Sequence, residues 1–93
     1  GELRIKFVTV LEDSRCPLGV NCVWAGNAKI QLRVTDRRGR TKLMELNTGG
    51  EPRGDRIGRY AINLVNLTPL PRPNEKFAQS RYTARLSIQR FDR

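Results

Sequence analysis

The 93-residue chain has no histidine, only two cysteines, one methionine and one tryptophan. Without histidine the commonest general base is missing, so a Ser–His or Cys–His nucleophile is excluded. Two cysteines alone also fall short of the four-ligand Cys/His sets that hold structural zinc. Apolar residues never run on for the roughly 20 positions that a membrane span needs, and no segment carries a sustained helical period with a cap. Acidic residues are scarce too, 9 against 18 Lys and Arg, which leaves a net charge of +9. These gaps point away from a metalloenzyme, a triad hydrolase or a membrane helix, and towards a soluble, basic, non-helical domain with no cofactor.

What the chain does contain is period two. Leu3-Arg4-Ile5-Lys6-Phe7, Ala28 to Val34 and Tyr82 to Gln89 alternate apolar and polar residues, the pattern of half-buried strands. Thr41 to Thr48 and Arg59 to Leu67 are also strand-like, with slips at Leu43-Met44 and Leu64-Val65 that a bulge or burial on both faces would explain. Between them lie Asp36-Arg37-Arg38-Gly39, a short hairpin connection, the glycine-rich 48–54 and the proline-rich 69–74, which cannot sit in a central strand. The expectation is one all-β domain over residues 1–93, with about five or six short antiparallel strands. A small β-sandwich, immunoglobulin-like or related, is preferred. The alternative is an OB-like barrel, which often carries a helix where this chain has its Gly49 to Gly58 loop.

Both cysteines and the tryptophan fall in one stretch, EDSRCPLGVNCVWAG, at residues 12–26. The Cys16–Cys22 spacing is not the C-x-x-C of a thioredoxin-like site, and a strand rather than a helix follows it. A copper site would need Met44 brought to the two sulfurs. The remaining reading is a disulfide across a short loop in which Pro17, Gly19 and Asn21 favour reversal of the chain, with two reduced, buried thiols as the alternative. Such a bond implies an oxidising, extracytoplasmic location, periplasmic, secreted or lipid-anchored. The chain opens Gly1-Glu2-Leu3 with no signal or lipidation motif, as a mature form or a fragment would.

The run Glu12-Asp13-Ser14-Arg15-Cys16-Pro17-x-Gly19-x-x-Cys22-x-Trp24-Ala25-Gly26 resembles the signature of a family of small bacterial proteins that are exported or lipid-anchored. Leu46-Asn47-Thr48, Leu67-x-Pro69-x-Pro71 and Tyr82-x-Ala84-x-Leu86 resemble the same family. The resemblance implies export and a β domain. It implies no reaction.

Several residues carry competing readings. Trp24 is expected to pack against the disulfide, since large aromatics bury their area. Leu18 or Val20 is the candidate apolar anchor if the loop is a binding wedge. Arg53-Gly54-Asp55 matches the integrin tripeptide, a match that chance explains in a chain this rich in arginine and glycine. The outward strand residues Arg4, Lys6, Lys29, Arg33 and Arg85 form a candidate basic surface if their strands are neighbours. Nucleic-acid stacking would need aromatics on that face, and Phe7, Tyr60 and Tyr82 are expected to point inward, which leaves only Phe77 and Phe91. The expected function is therefore a non-enzymatic binding or interaction module whose partner is a protein or an anionic envelope component. The runner-up is an OB-like nucleic-acid-binding domain, and a carboxylate hydrolase ranks third.

Overall fold

The computed structural model describes residues 3–73 and 78–91. Six strands, β1 (Arg4–Asp13), β2 (Ala28–Thr35), β3 (Thr41–Asn47), β4 (Gly54–Ile57), β5 (Tyr60–Thr68) and β6 (Thr83–Arg90), form two antiparallel sheets in the orders β1-β2-β3 and β4-β5-β6. Each sheet is a meander in chain order, not the Greek key of an immunoglobulin domain.

Alternation builds the core. Ala28, Ile30, Leu32 and Val34 on β2 and Met44 and Leu46 on β3 face Ile57 on β4 and Ile62, Leu64 and Leu67 on β5, all buried in one cluster. Tyr60, Tyr82 and Phe7 pack half-buried against it, inward as their alternation predicts. Beside this cluster β3 and β4 are tied by Lys42 Nζ, which donates to Asp55 Oδ1 at 3.0 Å and to the Arg56 carbonyl at 3.1 Å. On the other side a 3₁₀ turn, Gln79–Arg81, reaches β1: Gln79 Oε1 accepts from the Val10 N–H at 2.9 Å.

Three local features depart from simple alternation. β1 runs on past Phe7 to Asp13 because register shifts, between Phe7 and Thr9 and between Val10 and Glu12, reset its faces. The slip at Leu64-Val65 is also a bulge, opposite β6. At Leu43-Met44 the ladder is regular, and Leu43 is simply exposed on the outer face of its sheet. The sequence reading missed β4, which lies in the segment taken as loop. It holds only four residues and one buried apolar side chain, too little for a period to register.

β4 also takes in Gly54 and Asp55 of the Arg53-Gly54-Asp55 tripeptide. The Arg53 guanidinium donates to the Thr48 and Leu64 carbonyls, Gly54 pairs with Asn63, and Asp55 holds Lys42. A Cβ on Gly54 would sit 2.0 Å from Asn63 Oδ1, so the glycine serves close strand approach.

Candidate functional site: the disulfide loop and its pole

Cys16 and Cys22 are bonded to each other. The loop they close crosses the gap between β1 and β2 at one end of the sandwich. Gly19 takes φ +81° within it, and Val20 N–H donates to the Pro17 carbonyl at 3.2 Å, so the reversal forms where the turn residues place it. The base of the loop is laced as a short ladder: Ser14 N–H to Asn27 carbonyl at 2.7 Å and Cys16 N–H to Ala25 carbonyl at 2.9 Å. Gly26, φ +77°, lies against the opposite arm so closely that a Cβ would fall 1.9 Å from the Ser14 carbonyl oxygen.

Beneath the loop sits an ion pair between buried Arg15 and half-buried Asp13. Arg15 donates from Nε and Nη2 to the two oxygens of Asp13, each at 2.8 Å, and from Nη1 and Nη2 to the carbonyls of Leu67 and Pro69. Tyr82 Oη donates to Asp13 Oδ2 at 3.0 Å. Burial alone would raise the Asp13 carboxyl; hydrogen bonds from Arg15 and Tyr82, and the Arg15 charge, hold it below its usual value. The Tyr82 phenol is pushed up by burial first, then by its bond to the Asp13 carboxylate.

Residues scattered along the chain meet at this pole. Asn47 Oδ1 accepts from Asn27 Nδ2 at 2.8 Å, Thr48 Oγ1 from Ala28 N–H at 2.9 Å, and the Pro71 carbonyl from Leu18 N–H at 2.8 Å. Leu67, Pro69 and Tyr82 are bound to the Asp13–Arg15 pair as above. Most of the pole is therefore bracing.

Trp24 is the exception, and it corrects an expectation. It is 81% exposed, and its neighbour Val23 is 89% exposed. The alternation expected to carry it inward does not exist, because residues 22–27 form no strand. Leu18 and Val20 are exposed on the same loop, at 53% and 42%. Four large apolar side chains thus stand in solvent on a segment fixed at both ends.

The candidate basic surface is only partly assembled. Lys6 lies directly opposite Arg33 and Arg4 is two residues along, on the outer face of β1-β2-β3. Lys29 is separated from Arg33 by Gln31 and faces Glu12, while Glu45 lies opposite Gln31. Arg85 is on β6, in the other sheet, and does not join them. Of the two remaining aromatics, Phe91 is covered on one side by the Arg56 guanidinium, 4.4 Å from its ring centre, and Phe77 lies outside the described residues. Met44 is sealed in the core and the cysteine sulfurs are spent on each other, so the copper constellation does not form.

The disulfide is compatible with an oxidising compartment, and among the described residues no helix is long and apolar enough to cross a membrane. Compared with models of protein families, with curated proteins and with solved structures, the chain matches none.

Proposed function

We propose that this domain is a non-enzymatic extracytoplasmic interaction module, periplasmic, secreted or lipid-anchored, that binds a protein partner through its disulfide loop. The observation that carries the reading is the exposure of Leu18, Val20, Val23 and Trp24 together on one braced loop. Single exposed apolar residues are ordinary, but four on one loop, a tryptophan among them, have the composition of an interface centre. The brace matters as much as the side chains, since a loop already fixed loses little conformational entropy on binding. The resemblance to exported bacterial proteins agrees with this compartment and adds no catalytic role.

The test is capture from a bacterial envelope extract on immobilised domain, run in parallel with Trp24→Ala and with a Lys6→Gln, Arg33→Gln pair. A partner held by the parent and by the glutamine pair, and lost from Trp24→Ala, is the expected result. Capture indifferent to Trp24 but lost from the glutamine pair would move the contact to the basic face and overturn the loop reading.

A further inference from the structure

Each sheet has two edges, and three of the four edge strands are protected from pairing with another chain. β3 and β4 meet at one rim of the sandwich, where Lys42 Nζ donates to Asp55 Oδ1 and the Arg56 carbonyl, and their inward side chains Met44, Leu46 and Ile57 are buried. β1, at the other rim, is broken by two register shifts, and the Gln79 amide covers it at mid-strand, accepting from Val10 N–H at 2.9 Å and donating to the Val10 carbonyl at 3.4 Å. Bulges, lysines and covering side chains are the usual protection of an edge. β6 is the least protected. It runs from Thr83 to Arg90 without proline, glycine or lysine, the bulge in its ladder lies on β5, and its only interior charge is Arg85.

The backbone groups on this open edge can be identified. Phe91 N–H donates to the Arg59 carbonyl at 2.7 Å, towards the β5 side, and backbone groups alternate in direction along a strand. Gln89 and Ser87 therefore turn their N–H and C=O towards β5, while Ile88, Leu86 and Ala84 turn theirs to the outer edge, where no described group meets them. Apolar surface is left uncovered along the same line. Ile88 lies opposite Ile62 and so shares its inward face, yet Ile62 is wholly buried and Ile88 is 51% exposed. Leu86, next along that face, is half-buried.

An open ladder with an uncovered apolar row beside it is the form of a strand-addition site, and the sequence of β6 fits its own copy. With a two-fold axis through Ser87, an antiparallel copy sets Leu86 opposite Ile88 of the second copy, twice, and Arg85 opposite Gln89. Inward residues then meet inward ones, no like charges stand opposite each other, and both exposed isoleucines gain an apolar neighbour. An axis through Arg85 would instead oppose the two arginines. We propose that β6 is a homodimer interface that joins β4-β5-β6 of two copies into one six-stranded sheet. It is separate from the disulfide loop and stands or falls without it. Each copy carries a net charge of +9, so the dimer forms against a repulsion that salt screens, and it tightens as salt rises.

Sedimentation velocity of the whole chain across protein and salt concentration reads the equilibrium. A monomer–dimer equilibrium that tightens at least about threefold between about 50 and 500 mM salt is expected. Ile88→Lys sets a charge in the seam at a side chain already half in water, so it should keep the circular dichroism of the parent and weaken the dimer at least about tenfold. Trp24→Ala should dimerise within about twofold of the parent. Cysteine variants read the register. Ser87 and its counterpart would form a non-hydrogen-bonded pair with Cα atoms about 4.5 Å apart, so mild oxidation should link two Ser87→Cys chains. Two Arg85→Cys positions would lie roughly 13 Å apart along the strands and should stay unlinked. A parent monomeric up to about 1 mM at every salt concentration overturns the proposal and leaves the edge to a strand of another protein. A folded Ile88→Lys that dimerises as tightly as the parent, or an Arg85→Cys that links as readily as Ser87→Cys, overturns it too. Dimerisation lost in Trp24→Ala would do the same by placing self-association on the disulfide loop.

Discussion

The two ends of this sandwich are built in opposite senses. At the Cys16–Cys22 end a buried arginine is paired with a half-buried aspartate, while leucine, valines and tryptophan stand outside. At the Arg38–Arg59 end, where the β2–β3 and β4–β5 hairpins turn, the aspartate, Asp36, is buried, but what surrounds it on the surface is guanidinium. Ordinary surface statistics favour the second arrangement, since charged groups prefer water and large apolar ones do not. The inverted end is held in that state by a covalent bond and a four-way hydrogen-bonded arginine, a considerable investment in keeping hydrophobic side chains wet.

The largest expected effect tests whether the Asp13–Arg15 pair is that brace. Arg15→Ala leaves Asp13 and two carbonyls without their donor in a poorly solvated site, so unfolding free energy should fall by about 3 kcal/mol or more. Arg38→Ala at the other end, on an exposed hairpin, should cost no more than about 0.5 kcal/mol. Urea denaturation of both reads the difference. Equal midpoints for the two variants would abolish the contrast between the ends.

Next in size is the disulfide. In the chain-entropy account a loop this short contributes about 2.5 kcal/mol, and a Cys16→Ser, Cys22→Ser double variant should lose roughly that amount while keeping both sheets. A double variant that melts with the parent would show the sulfurs are not a staple, and mass after alkylation without reductant checks that the parent carries no free thiol.

How much of this was legible beforehand depends on whether a residue's role is set by its neighbours in sequence or by the fold. β2 was readable because every inward position from Ala28 to Val34 is apolar. The Asp36–Gly39 turn was readable from its own residues, and the disulfide from its loop chemistry. β4 was not, because a strand opening Gly54-Asp55-Arg56 offers one apolar side chain to count. Trp24 misled because the rule that aromatics bury their area assumes a sheet beneath, and the loop has none. Arg15 gave no compositional sign of burial, since a charged residue is read as surface. The grouping of arginines at the hairpin end was beyond reach for a topological reason: residues 38, 59 and 90 meet only once the hairpins of both sheets lie at the same end.

A smaller effect separates the ends by pH. Both Asp13 and Asp36 titrate lower in the folded chain than the ordinary 3.8, so each contributes stability that is present above that value and lost as pH falls through the folded one. Tyr82 titrates higher than 10.0, so its contribution is full below that value and is lost as pH rises through the folded one. This alkaline step lies at the disulfide end. Denaturation midpoints measured from pH 2 to 11 should show loss at both extremes in the parent, a weakened acid limb in Asp13→Asn and in Asp36→Asn, and an alkaline limb removed in Tyr82→Phe and reduced in Asp13→Asn but not in Asp36→Asn.

The smallest stability effect is the one that decides what the inverted end is for. A tryptophan packed in a core costs about 3 to 5 kcal/mol when cut to alanine. Trp24, 81% exposed on a loop that the disulfide, the Asp13–Arg15 pair and the Asn27–Asn47 bond already hold, has little to lose, and Trp24→Ala should stay within about 0.5 kcal/mol of the parent. Val23→Ala should be as mild, because Val23 is more exposed still. Trp24 fluorescence gives the same answer without mutation: a solvated indole emits to the red, is quenched freely by iodide or acrylamide, and shifts to the blue when a partner covers it. A blue-emitting, quencher-resistant tryptophan in the isolated domain, together with a loss of several kcal/mol on Trp24→Ala, would return the side chain to the core and leave the loop with no exposed aromatic to bind through.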